Sequence, residues 1–153
     1  MLIYLFIKNE KDLFGLSLVV NQNPDYLLEI TISDQKLDPN SLSMFASSLK
    51  NNRYLLKLCL INCMIDDQGA IALGLCLNDN KNLKEFSVSG NKYSFLKPPY
   101  FLNMDFFFIR ITNDGIETIA NAINEHPCIE VLNVSNNLID IDYFGDVLKQ
   151  FVF

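Results

Sequence analysis

Few residues of this chain are of the type and spacing that perform chemistry. The one histidine, His126, lies in the segment EHPC, and a general base must lie within hydrogen-bond reach of the proton that it abstracts. No serine-nucleophile motif, phosphate-binding glycine loop or HExxH motif accompanies it. His126 stands where Asn52 stands in an earlier, similar segment, so we predict a surface turn residue. The sequence therefore predicts no catalytic residue and no enzymatic activity.

Metal binding is not indicated either. Four cysteines are spread along the chain: Cys59, Cys63, Cys76 and Cys128. They form no CxxC pair and no dense framework, which favours reduced intracellular thiols over zinc or disulfides. The pairs Asp66-Asp67 and Asp140-x-Asp142 lack the closing glutamate of a calcium loop, so helix capping is the preferred interpretation. We expect no metal and no cofactor.

Composition excludes several classes of partner. Half of the 153 residues are hydrophobic and a fifth are charged, which is typical of a folded domain. The net charge of −6 and the scattered basic residues argue against nucleic acid and against anionic membranes. The longest apolar stretch, Leu2 to Ile7, is far shorter than a membrane span and lacks the flanks of a signal peptide. We predict a cytoplasmic or nuclear protein.

A repeated segment gives the elements that must position any functional residue. Leu27, Leu55 and Leu83 are 28 residues apart, and each opens a copy of the pattern L-x-x-L-x-L-x-x-N/C-x-L; a further copy begins at Ile129. The central L-x-L predicts a short strand with one face inward. The Asn or Cys that follows (Cys63, Asn91 or Asn137 in three of the copies) is expected to hydrogen-bond buried backbone groups of the turn.

The second half of each copy changes to helical periodicity. Apolar residues recur at steps of three and four, as in Ile116, Ile119, Ala120 and Ile123, which predicts one buried helix face. The expected helix N-caps are Asp66 or Asp67, Asn113 or Asp114, and Asp140 or Asp142. One such unit cannot bury enough apolar surface to fold alone, so the units must stack.

This pattern resembles the leucine-rich-repeat family, in particular its ribonuclease-inhibitor-like subclass, which NOD-like receptors and the Ran GTPase-activating protein share. The resemblance implies an α/β solenoid, a curved horseshoe segment with parallel strands on the concave side and helices on the convex side. We expect a single domain over 1–153. It divides into a degenerate partial repeat (1–26) and repeats at 27–54, 55–82, 83–128 and 129–153.

The third repeat carries an insert of 18 residues, 93–110, with the sequence YSFLKPPYFLNMDFFFIR. Two interpretations stay open. The insert is either a protruding aromatic loop that contacts a ligand or the product of a retained intron, because its removal restores a regular repeat. If the loop is real, four aromatic residues are expected to pack on the repeats or grip a partner: Tyr100, Phe101, Phe106 and Phe107.

The repeat register places eight residues on the concave face, where a protein partner would bind: Glu29, Thr31, Lys57, Cys59, Glu85, Ser87, Val131 and Asn133. Their side chains are small and mildly acidic and include none of the Trp, Tyr or Arg residues favoured at hot spots. The alternative is a plain solvated sheet. Neither end has a polar capping unit, which predicts either a segment of a longer array or end-to-end self-association.

The leading hypothesis is a protein–protein interaction module, a recognition or scaffold segment of a larger leucine-rich-repeat protein of unidentified ligand. An alternative, from the resemblance, is an accessory role in GTP hydrolysis. That role needs a positioned arginine. The chain has two: Arg53 lies on the helix-to-strand side, and Arg110 lies in the insert. A third hypothesis is a degenerate repeat fragment without independent function.

Overall fold

Strands and helices alternate along the described part of the chain. The computed structural model describes residues 2–4, 10–91 and 111–147. Its strands are β1 (Leu2–Tyr4), β2 (Glu29–Ser33), β3 (Lys57–Ile61), β4 (Glu85–Ser87) and β5 (Val131–Asn133). Its helices are α1 (Glu10–Asn21), α2 (Pro39–Leu49), α3 (Asp67–Leu77), α4 (Asn113–Asn124) and α5 (Ile141–Val147). The predicted α/β class is confirmed.

The strands form one parallel sheet in chain order, β1-β2-β3-β4-β5. Glu29 pairs with Lys57, Lys57 with Glu85, and Glu85 with Val131, so equivalent repeat positions lie side by side. Parallel neighbours need a crossover connection, which the intervening helix supplies in each unit. Helices of successive units pack against each other, with α3 against α4 as the most extensive contact.

The core lies between the sheet and the helices. On the strands, the alternate residues are fully buried, among them Ile30, Ile32, Leu58, Leu60, Phe86 and Val88. They join the apolar helix residues, such as Phe45, Leu73 and Ile119, in one continuous cluster. Alternation in the strands and the three-to-four spacing in the helices direct both sets to this layer.

The asparagines predicted after β4 and β5 do hydrogen-bond the turn. Asn91 Oδ1 accepts from the backbone N–H of Cys63 at 2.8 Å and of Ile65 at 3.2 Å, and its Nδ2 donates to the carbonyl of Val88 at 2.7 Å. Asn137 does the same one unit later. Cys63 replaces asparagine, and burial raises the pKa of its thiol to about 12, so it stays a neutral donor to Ile32 and Ile61.

A row of left-handed residues follows the strands. Asp34, Asn62 and Asn136 have φ values of 56°, 54° and 57°, and Gly90, at the same repeat position, has 73°. This conformation suits Asn, Asp and Gly best. A Cβ at Gly90 would also collide with the carboxamide oxygen of Asn62, whose side chain would have to move.

Helix capping follows the prediction in part. Asp66 caps α3 by accepting from Gly69 N at 2.9 Å, and Asp140 accepts from Tyr143 N at 3.0 Å. For α4 the prediction of Asn113 or Asp114 is wrong, because Thr112 is the N-cap residue. Sequence periodicity does not resolve a helix boundary to one residue, and Thr accepts from the first turn as Asp and Asn do.

The predicted surface position of His126 is also wrong. His126 is 8% exposed, and its Nδ1 accepts from the backbone N–H of Cys128 at 3.2 Å and of Ile129 at 3.1 Å. Asn52 and Asn80 make the same loop contacts in earlier units. We call these three residues the return-loop row. The imidazole is buried because its Nδ1 accepts the same two loop N–H groups that the side-chain oxygen of a buried asparagine accepts in the earlier units.

These elements show a parallel sheet with one helix after each strand. The curved horseshoe segment that the sequence predicted goes beyond this observation. The division into repeats stays a prediction. The insert 93–110 lies outside the described residues.

Candidate protein-binding surface

The sheet has one face away from the helices, which we call the open face. The residues predicted for a concave binding surface lie here in two rows that cross the strands. The first row contains Glu29, Lys57, Glu85 and Val131; the second contains Thr31, Cys59, Ser87 and Asn133. The register that the sequence predicted thus brings all eight residues together on one face.

The first row is charged over the middle strands. Lys57 Nζ lies 2.6 Å from Glu85 Oε2, and the hydrogen bond and charge of Glu85 raise the pKa of Lys57. Lys84 and Glu130 form a second pair at 3.1 Å nearby. Exposed pairs of this kind contribute little to stability. They give the open face a fixed pattern of charges that a partner can complement.

The second row exposes less side-chain surface to a partner than the sequence predicted. Cys59 and Ser87 are buried, although they lie on the open face, so they present little surface to a partner. Burial raises the pKa of the Cys59 thiol, which keeps it protonated and unreactive. Thr31 is half-buried and Asn133 is exposed. The accessible part of the open face is therefore the charged first row, together with the residues that precede the strands and those that follow them.

One flank carries the residue types that the sequence analysis did not find. Tyr26 and Tyr54 are 53% and 42% exposed, and Leu56 is 37% exposed. They precede β2 and β3, at the amino ends of these strands, beside the exposed Arg53. We call Tyr26, Arg53, Tyr54 and Leu56 the tyrosine edge. Tyrosine and arginine are enriched at interface hot spots.

The backbone of the tyrosine edge is held by its neighbours. The N–H of Arg53 donates to Asn23 Oδ1 at 2.8 Å, and that of Tyr54 donates to Asn52 Oδ1 at 3.1 Å. The N–H of Leu56 donates to the carbonyl of Leu28 at 2.7 Å. Both tyrosines occupy the same repeat position, 28 residues apart, and this was the sequence signal that could have found them.

No catalytic or metal-binding constellation forms within the described ranges. Among them, no three His, Cys, Asp or Glu side chains group closely enough to hold a metal ion. His126 Nε2 is buried without a hydrogen-bond partner there, and its Nδ1 already accepts from two backbone N–H groups. A shallow groove of about 570 Å³ lies beside the start of α4, lined by Thr112, Asn113, Asn137, Leu138, Ile139 and Asp140.

Four residues of the insert were predicted to bind a partner, and all four lie outside the described residues: Tyr100, Phe101, Phe106 and Phe107. Arg110, which the GTP-hydrolysis hypothesis considered, also lies outside them. Arg53 lies between α2 and β3, on the helix-to-strand side as predicted. Of the helices that the structure describes, none combines the length and the apolar character needed to cross a membrane.

Comparison with known proteins gives structural neighbours only. No protein-family model matches the chain, and no curated protein matches it. A solved structure of leiomodin-1 actin-binding site 2 is 18% identical, with a TM-score of 0.68 over 87% of this chain and 68% of the other. The C-terminal domain of tropomodulin from Caenorhabditis elegans is 13% identical, with a TM-score of 0.58 over 91% of this chain and 92% of the other.

These comparisons correct the expected membership of the leucine-rich-repeat family and its ribonuclease-inhibitor-like subclass. The neighbours are leiomodin and tropomodulin domains, and no family model supports the earlier assignment. The physical reason is that a 28-residue period reports the length of one strand, one helix and two connections. Any stack of such units shows that period. The GTPase-activating alternative loses its support with the family, and the likeness to leiomodin-1 and tropomodulin domains establishes the fold of this chain.

Proposed function

We propose that this chain is a protein-binding module, not an enzyme, and that it binds actin through the tyrosine edge and the adjoining charged row of the open face. The observation that carries the proposal is the exposure of Tyr26 and Tyr54 on neighbouring units. Neither tyrosine is part of the buried core, and in an interface each buries a large apolar surface at little cost in side-chain entropy.

The neighbouring charges support the same surface. Glu29 comes three residues after Tyr26, Lys57 comes directly after Leu56, and Glu85 pairs with Lys57 on the next strand, so charged residues border the tyrosine edge on one side. This arrangement is typical of protein interfaces, in which a desolvated centre supplies affinity and charges at the rim supply orientation. The parallel sheet holds both parts in a fixed relation.

The partner is proposed from the fold. The solved structure of leiomodin-1 is described as an actin-binding site. Sequence identity to it is low, so the likeness supports actin as the protein to test first. The cytoplasmic location predicted from the sequence would bring the chain together with actin and stays a prediction.

The test compares two double variants. Tyr26→Ser with Tyr54→Ser removes the tyrosine edge, and Ile71→Ser with Leu75→Ser removes equally exposed apolar residues from α3, on the other side of the molecule. Binding is measured by cosedimentation with filamentous actin and by fluorescence anisotropy with monomeric actin. We expect the tyrosine variant to lose about tenfold or more in affinity, the loss typical of two hot-spot residues. The α3 variant should bind as the original protein does.

Two results would contradict the proposal at different points. If the folded protein binds neither form of actin, actin is the wrong partner. If it binds actin and the tyrosine variant binds equally well, the wrong surface has been chosen. Thermal unfolding of both variants is the control, and both should keep their stability because all four side chains are exposed.

A further inference from the structure

Basic residues gather at the amino ends of the middle strands, although the chain has a net charge of −6. The loops before β3 and β4 and the start of β3 carry five of the 12 Lys and Arg residues: Lys50, Arg53, Lys57, Lys81 and Lys84. The three lysines Lys50, Lys57 and Lys84 each pair with a carboxylate of the next unit, at N–O distances of 2.6 to 3.1 Å. Arg53 and Lys81 are the two that differ.

Arg53 and Lys81 occupy the same repeat position in neighbouring units, and both are exposed. Neither forms an ion pair with a described carboxylate, and this includes Asp25, at the same position of the preceding unit. Lys81 Nζ donates to the carbonyl of Asn78 at 2.5 Å, which leaves its charge uncompensated. This charge acts on the next loop, where it adds to the effect of burial in lowering the pKa of His126.

The loops that carry these two cations are in contact. Asn80 Nδ2 donates to the carbonyl of Asn52 at 3.2 Å, and Asn82 Nδ2 donates to the same carbonyl at 3.4 Å. Arg53 follows Asn52 directly and Lys81 follows Asn80, so two like charges lie in adjacent loops. Like charges repel each other, and the described residues place no carboxylate between them. A partner with negative charge would remove this repulsion.

We propose that the tyrosine edge, extended by Lys81, binds an acidic segment of a partner protein. Two carboxylates of the segment pair with Arg53 and Lys81, and an apolar side chain beside them packs on Tyr54. A guanidinium matches a carboxylate in geometry, because its fork of N–H groups donates to both oxygens. The inference rests on the proposed function, since it names the chemistry of the partner at the same surface.

Charge complementarity selects this occupant. Two cations are too few for a nucleic-acid backbone or an anionic membrane, which require many basic residues, whereas they match two carboxylates of a peptide. Of the residues outside the described ranges, Asp105 is the one acidic residue, so they do not supply such a pair.

A second copy of this chain is a poorer match. Its acidic residues are concentrated at the opposite ends of the strands, where several already accept backbone N–H groups at helix starts: Asp38, Asp66, Asp67 and Asp140. A carboxylate that caps a helix would lose this hydrogen bond on turning towards Arg53. The occupant is therefore a segment of another protein.

The probe is a fluorescein-labelled peptide of sequence GFEEFEEG, which offers paired carboxylates beside aromatic side chains. Two matched peptides carry glutamine or lysine in place of each glutamate. Binding to the full chain is followed by fluorescence anisotropy. We expect saturable binding of the glutamate peptide below about 1 mM, binding at least about fivefold weaker for the glutamine peptide, and no binding of the lysine peptide. Added salt should weaken binding of the glutamate peptide most.

Arg53→Gln and Lys36→Gln are the matched variants. Each removes one positive charge from an exposed residue, but Lys36 follows β2, at the opposite end of the strands. Arg53→Gln should weaken binding of the glutamate peptide by about fivefold or more, whereas Lys36→Gln should change it less than about twofold. Adding Lys81→Gln to Arg53→Gln should make the glutamate and glutamine peptides bind equally. Thermal unfolding should stay unchanged, because all three side chains are exposed.

Several outcomes would overturn the proposal. They are no saturable binding of the glutamate peptide, equal effects of Arg53→Gln and Lys36→Gln, or displacement of the peptide by an equal concentration of inorganic phosphate. Tighter peptide binding after Asp105→Asn would identify the insert as the occupant. A dimer of the free protein that Arg53→Gln dissociates would identify a second copy.

The measurement with actin gives a separate result. If the glutamate peptide binds through Arg53 and neither form of actin binds, the acidic-segment site stands and actin is the wrong partner. If actin binds through Tyr26 and Tyr54 and the glutamate peptide does not bind, the proposed function stands and the acidic-segment site is wrong.

Discussion

His126 occupies a structural position that asparagine fills in the preceding units. Its Nδ1 accepts two backbone N–H groups, so the imidazole must be neutral at that nitrogen. Burial lowers the pKa of His126, and the positive charge of Lys81 lowers it further, against a smaller opposing effect of the Asn80 backbone. Because histidine replaces an amide here, the stability of the loop before β5 should depend on pH.

We predict that the protein loses stability as pH falls through the range below about 6.5, the ordinary pKa of histidine. In that range the unfolded chain binds a proton that the folded chain does not, so the free energy of unfolding decreases with decreasing pH. Above that range this contribution is complete. Urea unfolding at several pH values between 7.5 and 5 measures it.

The matched control is His126→Asn, which restores the residue found at positions 52 and 80 and cannot be protonated. As the pH is lowered, the unfolding free energy of the original protein should fall relative to that of the variant. A constant difference would show that His126 does not titrate in this range. His126→Ala leaves two backbone donors unsatisfied and should cost about 1–3 kcal/mol at pH 7.5.

Single residues show what the sequence could and could not predict. The role of Asn91 and Asn137 was predictable, because an amide after a strand has both donors and acceptors for a tight turn. The burial of His126 was not, because histidine is common on surfaces and only the contacts of its neighbours reveal the row. The tyrosine edge was missed because exposure depends on what the adjacent loop leaves uncovered.

At the scale of the elements, α3 and α4 are each connected to the next unit through their first residue. Asp67, the first residue of α3, accepts from Thr112 N at 2.7 Å, from Gly115 N at 3.1 Å and from Thr112 Oγ1 at 2.8 Å. Asn113, the first residue of α4, accepts from Asp140 N at 2.9 Å. The start of α4 is thus capped by Thr112 and by the preceding helix.

We predict that Asp67→Ala destabilises the protein by about 1–3 kcal/mol, because the variant loses three hydrogen bonds, two to the N-cap residue Thr112 and one to Gly115 in the first turn of α4. The loss should be local to the start of α4. Hydrogen exchange at Gly115 should speed up, while Gly69, which Asp66 holds at 2.9 Å, should change less.

Asp114→Ala is the comparison, since Asp114 is exposed in the same first turn of α4. It should lose only a favourable interaction with the helix dipole, about 0.3–1 kcal/mol. If both substitutions cost the same, the carboxylate of Asp67 acts through charge alone and the contact between units is unimportant.

The elements themselves were largely predictable. Alternation of apolar residues located β2 and β3, and helical periodicity located α3 and α4, because the buried positions Leu58, Leu60, Ile116 and Ile119 carry these patterns directly. Helix starts were less certain, since Thr112, Asn113 and Asp114 are all chemically suited to the N-cap. The capping by Asp67 connects residues 45 positions apart, which no local pattern reports.

At the scale of the whole molecule, burial declines towards β5. Leu58 in β3 and Leu132 in β5 occupy equivalent sites, yet the first is fully buried and the second is half-buried. In a stack of units each interface contributes to stability, and a unit with one neighbour receives support from one side only.

We predict that the same substitution at these two sites has different effects. Leu58→Ala removes a side chain surrounded by the core and should cost about 3–5 kcal/mol, whereas Leu132→Ala should cost about 1–2 kcal/mol, since solvent already reaches part of that site. Denaturant unfolding of both variants measures the difference. Equal costs would mean that β5 is as well enclosed as β3.

The fold class could be predicted from the 28-residue period of the sequence, whereas the family and the partner could not. The spacing of Leu27, Leu55 and Leu83 determines how long a strand–helix unit is, and many unrelated proteins satisfy that length. Binding depends on exposed residues, whose identity the period does not constrain. The spacing of Tyr26 and Tyr54 marks a repeat position, but the exposure that makes this position a binding surface became visible only with the fold.

The junction between Asn91 and Ile111 has a consequence for how the chain can change. On one side Asn91 is fixed by Asn137, and on the other the carbonyl of Ile111 accepts from Leu138 N at 3.0 Å. The neighbouring unit thus fixes the two residues that flank the insert, Asn91 and Ile111. β4 and β5 keep their register across a spacing of 46 residues instead of 28. Evolution can lengthen or replace the sequence at this point without altering the rest of the architecture, and a protein engineer can graft a foreign domain there for the same reason.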